Sequence, residues 1–140
     1  MTDEKAKHFS TGKLGIDQIP DFVLAELGLV YSYGEIKYGR DNWMSGTEWH
    51  EFIGSAKRHF AYWCLGQDED SESGINHLSH AIWNLIALRY YQKTGGGVDD
   101  RPFDARLHAG MDEPITDADD ILTKLADVQA RANAWKESHA

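Results

Sequence analysis

The sequence predicts an all-α protein, a compact helical bundle of about four helices. Apolar residues recur three and four positions apart along four segments, which is the spacing of one helix face. No segment combines sustained alternation of apolar and polar residues with turn residues at its ends, as a half-buried strand would. At 140 residues the chain is most simply one domain, which would bury about two thirds of its unfolded surface.

The first two helices are bounded by residues that favour helix ends. Pro20 opens helix A, which is expected to end near Tyr38. Ser45 and Glu48 have the spacing of a capping box for helix B. Gly66 supplies the turn that ends helix B.

The later helices are separated by a long polar connection. Helix C is expected from about Ser73 to Lys93, and Thr116 can cap a last helix, D, after a connection rich in Gly, Asp and Pro. The expected organisation is an N-terminal arm over residues 1–19, a helical core over residues 20–93, and a linker with a C-terminal helix over residues 94–140.

Charge and cysteine content exclude several classes of protein. A formal net charge of −9 argues against a binder of nucleic acid or of membrane surfaces, because those partners require clustered Lys and Arg. No stretch approaches the roughly 18 apolar residues that span a bilayer. The single cysteine, Cys64, permits no internal disulfide; it is expected on the core side of helix B, in a cytoplasmic protein.

An acidic run directly precedes two histidines. Four carboxylates lie between positions 68 and 72, and His77 and His80 follow with Asn84 on the same helix face. An acidic run alone is usually a solvated turn. Histidines at i and i+3, with an amide four residues on, converge on one point. A second, apolar stripe runs through Ile75, Leu78, Ile82 and Leu85, and both stripes are expected to be buried.

Polar residues also interrupt the apolar faces of helices A and B. Glu26 lies within the apolar stripe of helix A, where a carboxylate must be paired, protonated or metal-bound. Helix B carries His59, which directly follows Arg58. The alternative role of Arg58 is that of a surface cation. Carboxylates suit Mg²⁺ or Mn²⁺, and added histidines move the preference towards Mn²⁺, Fe or Zn²⁺.

Three segments carry a resemblance to a known family. YGEIKYGRDNW, SAKRHFAYW and GQDEDSESGINHLSHAIWNLIAL resemble, in order and spacing, the phage and bacterial dATP/dGTP diphosphohydrolases, which are all-α proteins similar to MazG-type nucleotide pyrophosphohydrolases. The resemblance covers roughly residues 13–92. Gln67 stands where that family often has Glu, and His77 and His80 lie near the place of the second acidic pair in MazG proteins.

The resemblance implies an activity and a set of site residues. The activity is hydrolysis of a purine deoxynucleoside triphosphate, dGTP or possibly dATP, to the monophosphate and pyrophosphate with Mg²⁺ or Mn²⁺, in two or three ions. The residues expected to bind metal are Glu26, Asp70, Glu72, His77 and His80. His59 and Glu72 are the expected catalytic residues, and the expected substrate contacts are Lys37, Tyr38, Asn42, Trp43, Arg58 and Asn84.

Rival interpretations remain open from the sequence. A non-catalytic acidic inhibitor that mimics nucleic acid would explain the net charge of −9, and a metal phosphohydrolase could act on another nucleotide. Trp43 could equally be a plug over the end of the bundle. The apolar stripe of helix D, which ends in Trp135, needs a partner surface and predicts a homo-oligomer, either a dimer or a tetramer. The expected location is the cytoplasm, that of the host if a phage encodes the chain.

Overall fold

The computed structural model describes residues 13–103 and 118–140. Its helices are α1 (Asp21–Tyr38), α2 (Trp49–Cys64), α3 (His77–Thr94) and α4 (Ala118–Ser138), with short 3₁₀ turns at Ile16–Gln18 and Asn42–Ser45. The described ranges contain no strand, and pairing of the β type is confined in them to isolated bridges. The prediction of an all-α protein is therefore confirmed.

Two helix starts differ from the prediction. The proposed capping box is wrong, because α2 begins after Glu48, whose side chain makes no capping hydrogen bond. Instead, the Asp100 carboxylate accepts a hydrogen bond from the His50 amide at 3.0 Å. Helix α3 begins at His77 rather than Ser73, and the Asn76 side chain caps it by accepting from the Leu78 amide at 2.8 Å. The predicted cap of the last helix, Thr116, lies outside the described residues.

The described chain divides into two compact units. One unit contains α1, α2 and α3, and the other contains α4. Within the first unit, α3 packs against both α1 and α2. Its aromatic core consists of buried Trp49, Ala87 and Tyr91, surrounded by Trp43, Phe52, Ile53, Leu88 and Tyr90.

Only one of the two predicted stripes of α3 is buried along its whole length. His77, His80 and Asn84 face the other helices, with exposed fractions of 2%, 8% and 3%. In the apolar stripe, Ile75 is buried but Ile82 and Leu85 are exposed, so the prediction is wrong for the second half of that stripe. Two neighbouring helices cover only part of the circumference of α3. Cys64 is also exposed, contrary to the expectation of a core position.

The segment after α3 runs back to the start of α2, where the two backbones lie close together and form hydrogen bonds. The Val98 amide donates to the Thr47 carbonyl at 3.1 Å, and the Trp49 amide donates to the Val98 carbonyl at 2.9 Å. Gly97, between these bonds, has a φ of +67°, and a Cβ on it would lie 2.3 Å from the Thr47 oxygen. This position therefore requires glycine.

Gly97→Ala is expected to destabilise the protein by about 1–3 kcal/mol, because the side chain adds both a clash and an unfavourable backbone conformation. Gly28→Ala is the matched control: Gly28 lies in α1 with open space around it, so alanine should stabilise by about 0.5–1 kcal/mol. Urea unfolding of the variants measures both changes. Equal effects of the two substitutions would contradict the described approach of the segment to α2.

Helix α4 is held by local polar pairs. Asp127 accepts from Lys124 at 3.0 Å and from Arg131 at 2.9 Å, one helical turn to either side. The Trp135 ring stacks on His139 with 4.2 Å between the ring centres. Among the described residues, no helix combines the length and the apolar character needed to cross a membrane.

Candidate active site

A cleft of about 640 Å³ opens among α1, α2, α3 and the loops that join them. Its volume lies in the range of small-molecule sites, about 300–1,000 Å³. Nine of the predicted site residues line it: Lys37, Tyr38, Asn42, Trp43, His59, Asp70, Glu72, His80 and Asn84. Segments that are separate in the sequence thus contribute to one cleft.

One part of the cleft is aromatic. Trp43 packs edge-on against Tyr31 and Trp83, with ring centres 5.8 and 6.3 Å apart, and closer still, at 4.9 Å, against Tyr90. Its carbonyl accepts a hydrogen bond from the buried Tyr91 hydroxyl. Trp43 therefore lines the cleft and also packs against the core.

Two polar atoms in this part of the cleft have unused hydrogen-bonding capacity. The Trp83 indole N–H is buried and finds no hydrogen-bond partner among the described residues. Asn84 uses its amide nitrogen to donate to Ser55 Oγ at 3.1 Å and to the His80 carbonyl at 2.9 Å. Those bonds leave the side-chain oxygen of Asn84 available as an acceptor.

The mouth of the cleft carries a carboxylate held by two donors. Glu72 Oε1 accepts from Lys37 Nζ at 2.8 Å and from the Tyr33 hydroxyl at 2.9 Å. The hydrogen bond from Lys37, and then that from Tyr33, lower the pKa of Glu72. The same bond raises the pKa of Lys37. Glu72 is therefore ionised and Lys37 cationic at neutral pH.

Deeper in the cleft, the turn before α3 presents Asp70. The Ser73 amide and hydroxyl donate to Asp70 Oδ2 at 2.9 and 2.8 Å, and Ser73 Oγ lies 2.7 Å from His80 Nε2. Burial alone would raise the pKa of Asp70, but the bonds from Ser73 outweigh it and the pKa is lowered. Since Ser73 Oγ donates to Asp70, it accepts the proton of His80 Nε2.

Three histidines meet beside this carboxylate. The rings of His59 and His80 stack with centres 4.5 Å apart, and His59 Nδ1 lies 2.8 Å from His77 Nδ1. His77 Nε2 lies 2.7 Å from Gln67 Oε1. Burial, followed by the neighbouring histidines, lowers the pKa of His59 to about 4. Burial also lowers the pKa of His80, so both rings are neutral at neutral pH.

Three predicted site residues do not line the cleft. Glu26 accepts a hydrogen bond from Ser79 Oγ at 2.7 Å, which gives its carboxylate a partner on α3. Arg58 is exposed on α2, in agreement with its alternative role as a surface cation. His77 lies behind His59 and is nearly fully buried.

Several residues that build the site were not among the predicted site residues. Ser73, Tyr33 and Gln67 belong to the segments that carry the family resemblance, so their pattern was a usable signal. Ser79 and Trp83 had none, because their roles depend on which way α3 turns towards α1.

One group of residues in the described part of the chain could bind a metal ion. His59, Asp70 and His77 each offer a ligand atom, and these atoms lie within 4.8 Å of one another. Carboxylate and neutral imidazole together suit first-row divalent ions. Two residues predicted to bind metal, Asp70 and His77, belong to this group, while Glu26, Glu72 and His80 lie outside it.

Comparison with known proteins identifies the family of the chain. The family model described as "dATP/dGTP diphosphohydrolase, N-terminal" matches residues 3–101, which include α1, α2, α3 and every residue of the cleft. The chain belongs to this family. The resemblance inferred from the sequence is thereby confirmed.

A Salmonella phage PMBT28 protein named dATP/dGTP diphosphohydrolase is 29% identical over 119 residues. The match covers 81% of this chain and 41% of the phage protein, so the chain spans less than half of the length of that relative. No solved structure matches the chain significantly.

Proposed function

We propose that the chain hydrolyses a purine deoxynucleoside triphosphate, with dGTP preferred and dATP the close competitor, to the deoxynucleoside monophosphate and pyrophosphate. The observation that carries the proposal is one cleft with aromatic and amide side chains in one part and carboxylate, imidazole and ammonium groups in the other. A base and a triphosphate require these two environments. The family membership and the name of the phage relative support the same reaction.

The reaction has a simple atomic balance. A water oxygen bonds to the α-phosphorus, the bond from that phosphorus to the α–β bridging oxygen breaks, and pyrophosphate leaves with the bridging oxygen. The water loses a proton. Glu72 is our candidate to accept it, because Lys37 and Tyr33 engage only Oε1, which leaves Oε2 for the water.

Phosphate charge is balanced by the residues at the mouth and by metal. Lys37 is the cation of the cleft lining nearest to Glu72, at 2.8 Å, and a phosphate oxygen would share its ammonium group. Divalent ions, two or three of Mg²⁺ or Mn²⁺, would be held by Asp70 and its neighbours and would neutralise charge on the triphosphate and on the leaving pyrophosphate.

The unpaired groups of the aromatic part support a preference for guanine. The base of dGTP presents an acceptor, O6, beside a donor, N1–H, and two residues of the cleft lining, Trp83 and Asn84, carry an unpaired N–H and a side-chain oxygen that could match them. Adenine presents a donor and an acceptor in the reverse order. The pairing would therefore be lost with dATP.

Trp83→Phe is expected to reduce kcat/KM for dGTP about five- to tenfold, because it removes one hydrogen bond of about 1–1.5 kcal/mol. The value for dATP should change less. Steady-state kinetics on both substrates gives the ratio. Trp63→Phe, a matched change at an exposed position on α2, should leave the ratio unchanged, and a parallel loss with both purines would contradict the role of Trp83 in base selection.

A substrate panel tests the function against its rivals. The full chain is incubated with each of the four dNTPs and Mg²⁺ or Mn²⁺, and with chelator as a control. Turnover of purines that stops with chelator supports the proposal. No turnover with any dNTP favours the acidic inhibitor, and equal turnover of dCTP and dTTP removes the preference for purines.

We also propose that the chain forms a homodimer or homotetramer. Large apolar side chains are exposed on all three helices of the cleft-bearing unit, among them Ile36, Phe60 and Leu85 at 85%, 52% and 58% exposure. Burial of such a surface is the common driving force for association. Sedimentation velocity should show a species heavier than the monomer, and a clean monomer across micromolar concentrations would contradict the proposal.

A further inference from the structure

Two buried imidazole nitrogens point at each other beside a carboxylate. His59 Nδ1 and His77 Nδ1 are 2.8 Å apart, and Asp70 offers an oxygen within 4.8 Å of a nitrogen of each ring. Two nitrogens bound at about 2.1 Å to one ion lie about 3 Å apart when they occupy neighbouring octahedral positions. The observed separation is close to that value, so a small movement would admit an ion.

The three residues come from different elements that are fixed independently. His59 is on α2, Asp70 is in the turn, and His77 is the first residue of α3. Ser73 orients Asp70 by donating twice to Oδ2, and no described residue donates to Oδ1. One carboxylate oxygen is therefore positioned and free.

Gln67 gives His77 the tautomer that a metal ligand needs. Its Oε1 lies 2.7 Å from His77 Nε2 and accepts the proton of that nitrogen. His77 Nδ1 then carries a lone pair directed towards His59. Metal-binding histidines typically donate their second N–H to such an oxygen acceptor, and loss of that acceptor costs about 10–100-fold in metal affinity or activity.

We propose that His59, Asp70 and His77 hold one divalent ion of the class that accepts nitrogen ligands, Mn²⁺, Co²⁺ or Zn²⁺ in preference to Mg²⁺, with Gln67 positioning His77. Magnesium favours sites made of oxygen atoms, whereas imidazole suits the first-row transition ions. The role of this ion in turnover rests on the proposed function, but its binding can be measured without substrate.

The first test is binding of metal by the full chain after treatment with chelator. Calorimetric titration with MnCl₂ and with MgCl₂, and visible absorption during titration with CoCl₂, report affinity and nitrogen ligation. We expect Mn²⁺ to bind at least tenfold more tightly than Mg²⁺, and Co²⁺ to develop ligand-field bands. Equal affinities for Mn²⁺ and Mg²⁺ would overturn the proposal.

The second test compares a histidine of the proposed site with a histidine outside it. His59→Ala should lower Mn²⁺ affinity at least a hundredfold and abolish the Co²⁺ bands. His50→Ala is the matched control, because His50 is on the same helix but is exposed, pairs with Asp100 and lies outside the cleft. Unchanged metal binding in His59→Ala would overturn the proposal.

The third test uses Gln67, which should affect metal through His77 alone. Gln67→Leu removes the acceptor and should weaken Mn²⁺ binding about 10–100-fold. Gln67→Glu keeps an oxygen acceptor and should bind Mn²⁺ within a few-fold of the unchanged chain. Equal losses in the two variants would remove the positioning role. Thermal unfolding of each variant confirms that the fold persists.

Failure of this site and failure of the proposed function give different results. Hydrolysis of dGTP by a chain whose Mn²⁺ binding is unchanged in His59→Ala would exclude the site and leave the function standing. Tight Mn²⁺ binding that requires His59, in a chain that hydrolyses no dNTP, would establish the site and refute the function.

Discussion

Asp70→Asn is expected to lower the turnover of dGTP by more than about a hundredfold while leaving the helical fold intact. Asparagine keeps an oxygen that can accept from Ser73, so the turn should survive. The charge that holds a cation is lost. Steady-state kinetics measures the loss, and circular dichroism confirms the fold. Without metal, the variant should be slightly less stable than the unchanged chain at neutral pH, because the bonds from Ser73 favour the ionised carboxylate.

The acidic run contains its own control for this substitution. Asp68 lies two residues earlier, is exposed, and does not line the cleft. Asp68→Asn makes the same chemical change and should alter turnover less than about twofold, because exposed charges interact weakly through solvent. Full activity in Asp70→Asn, or equal losses in the two variants, would indicate that the acidic run is a solvated turn without a role in catalysis.

Tyr91→Ala is expected to destabilise the protein by about 3–5 kcal/mol, the range for removing a large buried side chain. Tyr91 has no exposed surface and packs against Trp49 in the aromatic core. Its hydroxyl donates to the Trp43 carbonyl, so its loss also frees the loop that lines the cleft. Urea unfolding of the variant measures the change.

Tyr38→Ala is the matched control for the core substitution. Tyr38 is 65% exposed, and Lys37 Nζ lies 5.2 Å from its ring centre. Its removal should cost less than about 1 kcal/mol. Tyr91→Phe should cost about 0.5–1.5 kcal/mol, because it removes one hydrogen bond to the Trp43 carbonyl, which keeps the Gly46 amide as a donor at 3.4 Å. A cost for Tyr91→Ala no larger than that for Tyr38→Ala would contradict the described core.

Periodicity and end-capping residues predicted the helices well because those signals are local. The boundaries of α1 agree with the prediction within a residue. The starts of α2 and α3 do not agree. A contact that is distant in sequence determines the start of α2, and a hydrogen-bonded turn delays the start of α3. Asp100, fifty residues away in sequence, supplies the bond at the start of α2. Residues 66–75 form a hydrogen-bonded turn in which the Gly74 amide donates to the Asp70 carbonyl at 2.7 Å.

Sequence reasoning named residues that line the cleft, but it did not give the contacts between them. Burial of a polar stripe on α3 followed from its spacing, and His80 and Asn84 do line the cleft. The partner of Glu26 could not be deduced, because Ser79 reaches it only when α1 and α3 cross at the observed place. The same limit applies to the contact between His59 and His77, which depends on how α2 packs against α3.

The most direct test of the proposed reaction is the position of oxygen from water in the products. The chain is incubated with dGTP and Mn²⁺ in ¹⁸O-labelled water, and the products are separated and examined by mass spectrometry. The proposed attack on the α-phosphorus predicts one labelled oxygen in dGMP and none in pyrophosphate. Label in pyrophosphate, or release of deoxyguanosine with inorganic triphosphate, would contradict it.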